Sequence, residues 1–210
     1  MFIQAIDTPN PNTIKFIPGI EIAPSGSSYF FRSEDIAQCS HSLALNLFKT
    51  EFIESVFISS EFVSITKNQD FLWEEIKSEI LEIIADYCVN VDKDNLVSSL
   101  ADHHDSPIND NCEYLESDSE TVEKITALID SKVRPALEKD GGNIVFRGYQ
   151  DKVVYVSLQG SCVGCPSSNV TLKHGIESLL QYYFPDYVER IISIPYDIAS
   201  IAEYLNTIEQ

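Results

Sequence analysis

The stretch that decides the reading of this 210-residue chain is Gly160-Ser161-Cys162-Val163-Gly164-Cys165-Pro166-Ser167-Ser168. Two cysteines are separated by two residues, with a glycine before the pair, a glycine inside it and a proline directly after. On the left, Lys152 to Leu158 reads as a strand; on the right, Val170 to Tyr183 reads as a helix. The thiols are therefore expected on a tight strand-to-helix turn, where backbone N–H groups and a helix N-terminus stabilise thiolates. Gly160 and Gly164 permit positive φ and close backbone approach. Pro166, as first helical residue, needs no N–H partner and leaves the N–H groups of Ser167 and Ser168 facing the sulfurs.

Outward from the turn, residues 119–194 give the order α-β-β-α-β. Ser117-Asp118-Ser119-Glu120 has capping-box spacing, and Val122, Ile125, Ile129 and Val133 follow at helical intervals. Pro135 is expected to kink or restart that helix, and Gly141-Gly142 to stop it. Asn143 to Gly148 and Lys152 to Leu158 read as a hairpin with Val154, Val156 and Leu158 on one face. Leu172, Ile176, Leu179, Leu180 and Tyr183 form the apolar stripe of the second helix, and Val188 to Ile194 returns as a strand. This predicts a small sheet with its helices on one face. The tail, 195–210, carries Ile198, Ile201, Ala202 and Leu205 at amphipathic spacing: a helix docked on its own domain, or an apolar surface for a partner.

The first half predicts a separate α+β domain over 1–88. Phe2 to Ile6 and Thr13 to Ile17 form a hairpin across Thr8-Pro9-Asn10-Pro11-Asn12, whose two prolines and two asparagines make a stiff turn. A short strand follows at Ser28 to Phe31, then a helix over Ala37 to Phe48. A second hairpin is expected across Ser60-Glu61, and a strong helix from Phe71 to Tyr87. Residues 89–118 are acidic and poor in apolar groups, with His103-His104 among them, and read as a flexible linker. The expected fold class is thus two small α+β domains joined by an acidic linker.

Composition removes several function classes. Fourteen basic residues against 33 acidic ones leave a net charge of −19, which repels phosphate backbones and argues against nucleic acid. No apolar run is long enough to span a bilayer, so no membrane partner is expected. The start has neither a signal-peptide pattern nor an Arg-rich, acid-poor presequence. That points to the cytoplasm, or to an organelle if a presequence has been removed. Five scattered cysteines do not form a secreted disulfide framework and leave metal or redox chemistry for the close pair.

A structural zinc ion or an iron–sulfur cluster takes four protein ligands, and the turn supplies two. Cys39, Cys88 and Cys112 lie outside it and read as buried or incidental thiols, and His174 reads as a surface residue of the second helix. A second copy of the pair on a two-fold axis completes an all-thiolate site. Three readings stay open on the residues alone. One is a cluster held between two subunits; another is a zinc-stapled structural dimer. The third is a thiol–disulfide oxidoreductase, although the domain is too short for a thioredoxin-like sheet. No Ser-His-Asp or Cys-His catalytic arrangement stands out, so no enzyme is expected. In a metal-free form both cysteines are expected to be exposed at the loop, with a disulfide between them as one possible state.

The turn also carries a resemblance. Lys139-Asp140-Gly141-Gly142, followed by Cys162, Cys165, Pro166, Ser168, Thr171, Leu172, Lys173, Gly175 and Ile176, resembles the C-terminal NifU-like domain of Nfu iron–sulfur proteins. Thr8-Pro9-Asn10-Pro11-Asn12, Lys15-Phe16, Pro18-Gly19 and Phe62 to Lys67 are similar to the Nfu N-terminal domain. The resemblance implies a non-enzymatic scaffold or carrier of a 4Fe-4S cluster, with 2Fe-2S as the variant. Cys162 and Cys165 would ligate it at a homodimer interface or in a higher oligomer. The implied partners are upstream assembly factors and apo iron–sulfur client proteins.

Overall fold

The computed structural model describes residues 2–39, 41–90, 112–164, 168–198 and 200–208. The chain divides into two compact units, Met1–Ser106 and Pro107–Gln210, each α+β as expected. Among the described residues no helix is long and apolar enough to cross a membrane.

Unit 1 is a five-stranded antiparallel sheet in the order β1-β2-β5-β4-β3, built from β1 (Gln4–Asp7), β2 (Thr13–Ile17), β3 (Ser28–Arg32), β4 (Ile53–Ser59) and β5 (Val63–Lys67). Phe16, Val56 and Ile65 from the sheet pack with Leu43 of α1 (Ser42–Leu47) and with Ile80 and Ile84 of α2 (Trp73–Asn90). The hairpin turn is held by its own side chains. Thr8 Oγ1 donates to the Asn10 and Thr13 carbonyls at 3.0 and 2.9 Å, and Asn10 Oδ1 accepts from the Asn12 N–H at 3.0 Å. Trp73 Nε1 donates to the Pro11 carbonyl at 2.9 Å and fastens α2 to that turn.

One helix differs from expectation. In place of a run over Ala37 to Phe48 there is a 3-10 segment, Ser33–Gln38, and then the short α1. The break falls where His41, in extended conformation, becomes the N-cap: its Nδ1 accepts the Leu43 N–H at 3.3 Å. A side chain that accepts from the first turn starts a helix rather than continuing one.

Of the acidic segment expected to link the two domains, residues 91–111 lie outside the described residues. Residues 112–118 are built into unit 2. Glu113 lies alongside Gly148 and exchanges backbone hydrogen bonds with Arg147 and Tyr149 at 3.1 and 2.9 Å. A 3-10 turn, Glu116–Asp118, then leads into α3 (Ser119–Leu128). The expected capping box does not form. Asp118 occupies the N-cap with no side-chain bond, and Glu120 pairs instead with Lys124 at 2.6 Å. The helix widens to a π turn over Ile129–Val133 and resumes as α4 (Arg134–Lys139). The wider turn relieves the clash that Pro135, which also lacks an N–H, would otherwise make with the preceding turn.

Three strands follow in spatial order: β6 (Gly142–Gln150), β7 (Val153–Gly160) and β8 (Arg190–Ser193). β6 and β7 are an antiparallel hairpin across Asp151-Lys152, both at positive φ, the backbone that a tight two-residue turn demands. β8 pairs parallel with β7 after the crossover through α5 (Ser168–Tyr183). Val154 and Val156 face the main core with Ile125, Ile129, Ile176 and Leu180.

The helices are not all on one face. Val153 and Tyr155, the alternate residues of β7, pack with Ile194 and with Ile201 of α6 (Ile201–Ile208) on the other side. Ser200 Oγ and a Glu113 carboxylate oxygen accept N–H groups of the first turn of α6 at 3.0 and 3.2 Å. Arg147 donates to the carbonyls of Tyr196 and Ile198 and ties down the approach to the helix. The tail is therefore a helix docked on its own domain. Replacing Ile201, 2% exposed, by alanine should destabilise unit 2 by about 2–3 kcal/mol, through lost burial plus the residual cavity. A urea titration followed by far-UV circular dichroism would measure it.

Candidate metal centre

The turn after β7 is anchored on the end of α4. Gly160, the last residue of β7, pairs with Gly142, the first of β6. The Ser161 N–H donates to the Gly141 carbonyl at 3.1 Å, and Ser161 Oγ to the Asp140 carbonyl at 2.7 Å. The Val163 N–H donates back to Gly160 at 3.1 Å. Gly160 and Gly164 sit at φ +62° and +70°, the left-handed conformation expected of them, which only glycine adopts without strain.

Beneath the turn, a chain of polar side chains joins α4 to both strands that lead into it. Arg134 pairs with Asp130 at 2.7 Å and donates to Asn143 Oδ1 at 2.6 Å; Asn143 Nδ2 donates to Gln159 Oε1 at 3.2 Å. On the far side, Glu177 of α5 accepts the Ile191 N–H at 2.8 Å and ties that helix to β8. The frame around the turn is fixed on both sides by hydrogen bonds rather than by apolar contact alone.

Cys162 is the one member of the pair within the described residues; Cys165, Pro166 and Ser167 lie outside them. The expectation of an exposed loop thiol is corrected for Cys162. It is 4% exposed, packs in the core cluster with Ile144 and Ile176, and is not part of a disulfide. The reason lies across the hairpin at Gly142, where a Cβ would overlap the Cys162 sulfur. Beyond its place in the stretch that carries the resemblance, sequence reasoning gave Gly142 one structural role, ending the preceding helix. The available signal was the doubling: Gly141, at φ +82°, is enough to end a helix, so the second glycine needed another reason.

The other candidates are not brought to the turn. Cys39 and Cys88 are buried in unit 1, and Cys112, half-buried in unit 2, donates to the Phe146 carbonyl at 3.4 Å. Burial raises the pKa of all three thiols, which keeps them protonated and poor ligands. His174 is exposed, 3.9 Å from Glu177; His103 and His104 lie outside the described residues. Among the described residues no group of three or more His, Cys, Asp or Glu side chains is placed to hold a metal ion. Cys162 offers a soft thiolate donor of the right kind for iron or zinc, and the described part of one chain does not complete a four-ligand site.

Comparison with known proteins gives matches to both units. Residues 3–90 match the family model described as "Scaffold protein Nfu/NifU N terminal", and residues 125–191 match the NifU-like domain. The chain is 42% identical over 186 residues to the Drosophila persimilis protein named "NFU1 iron-sulfur cluster scaffold homolog, mitochondrial", covering 89% of this chain and 63% of that one. It is 41% identical over 201 residues to the Drosophila grimshawi protein of the same name, covering 96% and 64%. The chain thus spans under two thirds of the length of these relatives. Among solved structures, a NifU-like protein from Saccharomyces cerevisiae matches at 26% identity and a TM-score of 0.40, over 43% of this chain and 81% of that one.

Proposed function

The chain belongs to the two-domain Nfu/NifU-like family of iron–sulfur scaffold proteins, and from that premise we propose that it is a non-enzymatic carrier of a 4Fe-4S cluster bridging two subunits. Cys162 and Cys165 of each chain supply the four thiolates, and the cluster is the cargo. The observation that carries the reading is the incomplete site. The turn is rigidly framed, and among the described residues no group of three or more Cys, His, Asp or Glu side chains stands ready there to hold a metal ion. A closed structural site would keep all its ligands in one chain. A site shared between chains and completed by only two sulfurs from each is built to come apart.

Transfer then proceeds by thiolate exchange. A client thiolate forms a new iron–sulfur bond as the bond to Cys162 or Cys165 breaks, so charge and coordination number are kept and no oxidant is needed. The implied partners are a second copy of this chain, an upstream cluster donor and apo iron–sulfur proteins. The relatives are named as mitochondrial proteins, which favours an organelle matrix over a bacterial cytoplasm as the place of work.

Anaerobic reconstitution with iron and sulfide should give a brown dimer with about two irons per chain, as one four-iron cluster shared by two chains requires. Mössbauer spectroscopy would identify the cluster, and activation of an apo-enzyme would show release. A colourless monomer would sink the proposal. Zinc at about one per two chains, with no iron, would replace it by a structural dimer.

A further inference from the structure

We propose that the cluster-free chain keeps Cys162 stowed in a slot over Gly142, and that ligation requires the thiol to be drawn out of it. Gly142 is then a positioning residue that governs how readily Cys162 is available. The inference rests on the reading of Cys162 as a ligand and adds a closed state to it.

Three observations carry it. The Cys162 side chain is buried in an apolar cluster, while Val163 beside it is 39% exposed, so the sulfur lies one residue beneath the surface. Gly142 is an ordinary strand residue paired with Gly160, with none of the positive φ seen at Gly141, Gly160 or Gly164. Backbone freedom therefore does not explain the glycine there. Space does: a Cβ at that position would occupy the place of the Cys162 sulfur and crowd the Gln159 carbonyl oxygen at 3.0 Å and Ser161 Oγ at 3.1 Å.

The third observation is where the turn is anchored. Ser161 is clamped by two hydrogen bonds to Asp140 and Gly141, whereas Gly164 has open space around its Cα and a left-handed backbone. Among the described residues of the turn, the sulfur is thus presented by motion beyond the Ser161 clamp, with the left-handed Gly164 as the pivot. A thiol held this way is shielded from oxidants and alkylating agents until a cluster or a second subunit draws it out. The low exposure and the ligand role are then two positions of one side chain.

The test is residue-resolved alkylation of the reduced, cluster-free full chain with iodoacetamide, read by mass spectrometry. Cys162 should react about tenfold or more slowly than in the same chain in denaturant. Gly142→Ala should raise its rate by about tenfold or more, while the half-buried Cys112 in the same unit keeps its own rate. If G142A loosens the whole unit, Cys112 will accelerate too, and the double variant decides. The slot predicts that the drop in melting temperature caused by Gly142→Ala is smaller when Cys162 is also alanine, because the worst collision, with the sulfur, is gone while the tight contacts with the Gln159 carbonyl and Ser161 Oγ remain.

Wild-type Cys162 that alkylates as fast as in the denatured chain would overturn the slot, as would an equal G142A penalty in both backgrounds. These outcomes separate from the carrier reading. A chain that takes up no iron but protects Cys162 keeps the slot and loses the carrier; one that loads iron with Cys162 unprotected does the reverse.

Discussion

Cys162→Ser is expected to abolish cluster loading, taking iron from about two per chain to less than a tenth of that and leaving a colourless monomer after reconstitution. The effect is all-or-none because a bridging cluster needs both sulfurs from both chains. A serine hydroxyl is a far weaker acid than a thiol and does not offer iron the soft anionic donor it takes. Cys162 is also a core residue, so loss of iron alone does not separate ligation from packing. Serine places a hydroxyl among apolar side chains at a cost of about 1–3 kcal/mol if it finds no partner. Ile176→Ala supplies the contrast. Ile176 is 6% exposed in the same cluster but has no ligating atom. Its truncation should cost about 2–4 kcal/mol and still leave a chain that reconstitutes when kept below its melting temperature. Cys162→Ser, milder in stability, should lose the iron completely. If both variants lose iron in proportion to their stability, Cys162 is a packing residue and the ligand assignment fails.

The strands and the order of elements were legible because the forces behind them are local. Alternation in Thr13 to Ile17 and Val63 to Lys67, bounded by proline, asparagine and glycine turns, specifies strands wherever the chain goes next, although both are buried on both faces. What was not legible depended on partners distant in sequence. The helix at Ala37 to Phe48 broke at His41 because that ring found Tyr29, Phe31 and Tyr87, which lie 12, 10 and 46 residues away. The capping box was lost once Glu113 bridged to β6 and a 3-10 turn shifted the start of α3. The covered second face of the C-terminal sheet did leave a trace. Val153-Val154-Tyr155-Val156 is apolar without alternation, the mark of a strand buried on both sides; reading only its even residues put all the helices on one face, although the tail itself was read as a docked helix. At the site, the cysteine pair declared its chemistry by residue type. The slot over Gly142 did not, since a glycine's empty volume has meaning only against the sulfur across the hairpin.

Acidification should destabilise unit 1 by about 2 kcal/mol between pH 7 and pH 5, through one histidine. His41 is 3% exposed, enclosed by the rings of Tyr29, Phe31 and Tyr87, and its Nδ1 must stay unprotonated to accept the Leu43 N–H. Burial lowers its pKa from 6.5 to about 4, with a backbone hydrogen bond involving Ile22 opposing part of the fall. In the unfolded chain the same ring takes up a proton near pH 6.5. Below that pH the unfolded state binds a proton that the folded state refuses until about pH 4. Stability is therefore full above pH 6.5 and falls across the window beneath it, by about 3 kcal/mol in all. Trp73, the only tryptophan and hydrogen-bonded to Pro11 in the same unit, reports the transition by fluorescence in urea titrations at the two pH values. His41→Asn is the control: an amide oxygen can cap the same N–H but does not titrate. The variant should be less stable at pH 7 for want of ring packing, yet lose about 2 kcal/mol less than the parent on going to pH 5. The abundant carboxylates titrate alike in both proteins and cancel. Equal pH slopes would mean that His41 accepts its proton in place and that its enclosure by the three rings is looser than the structure draws it.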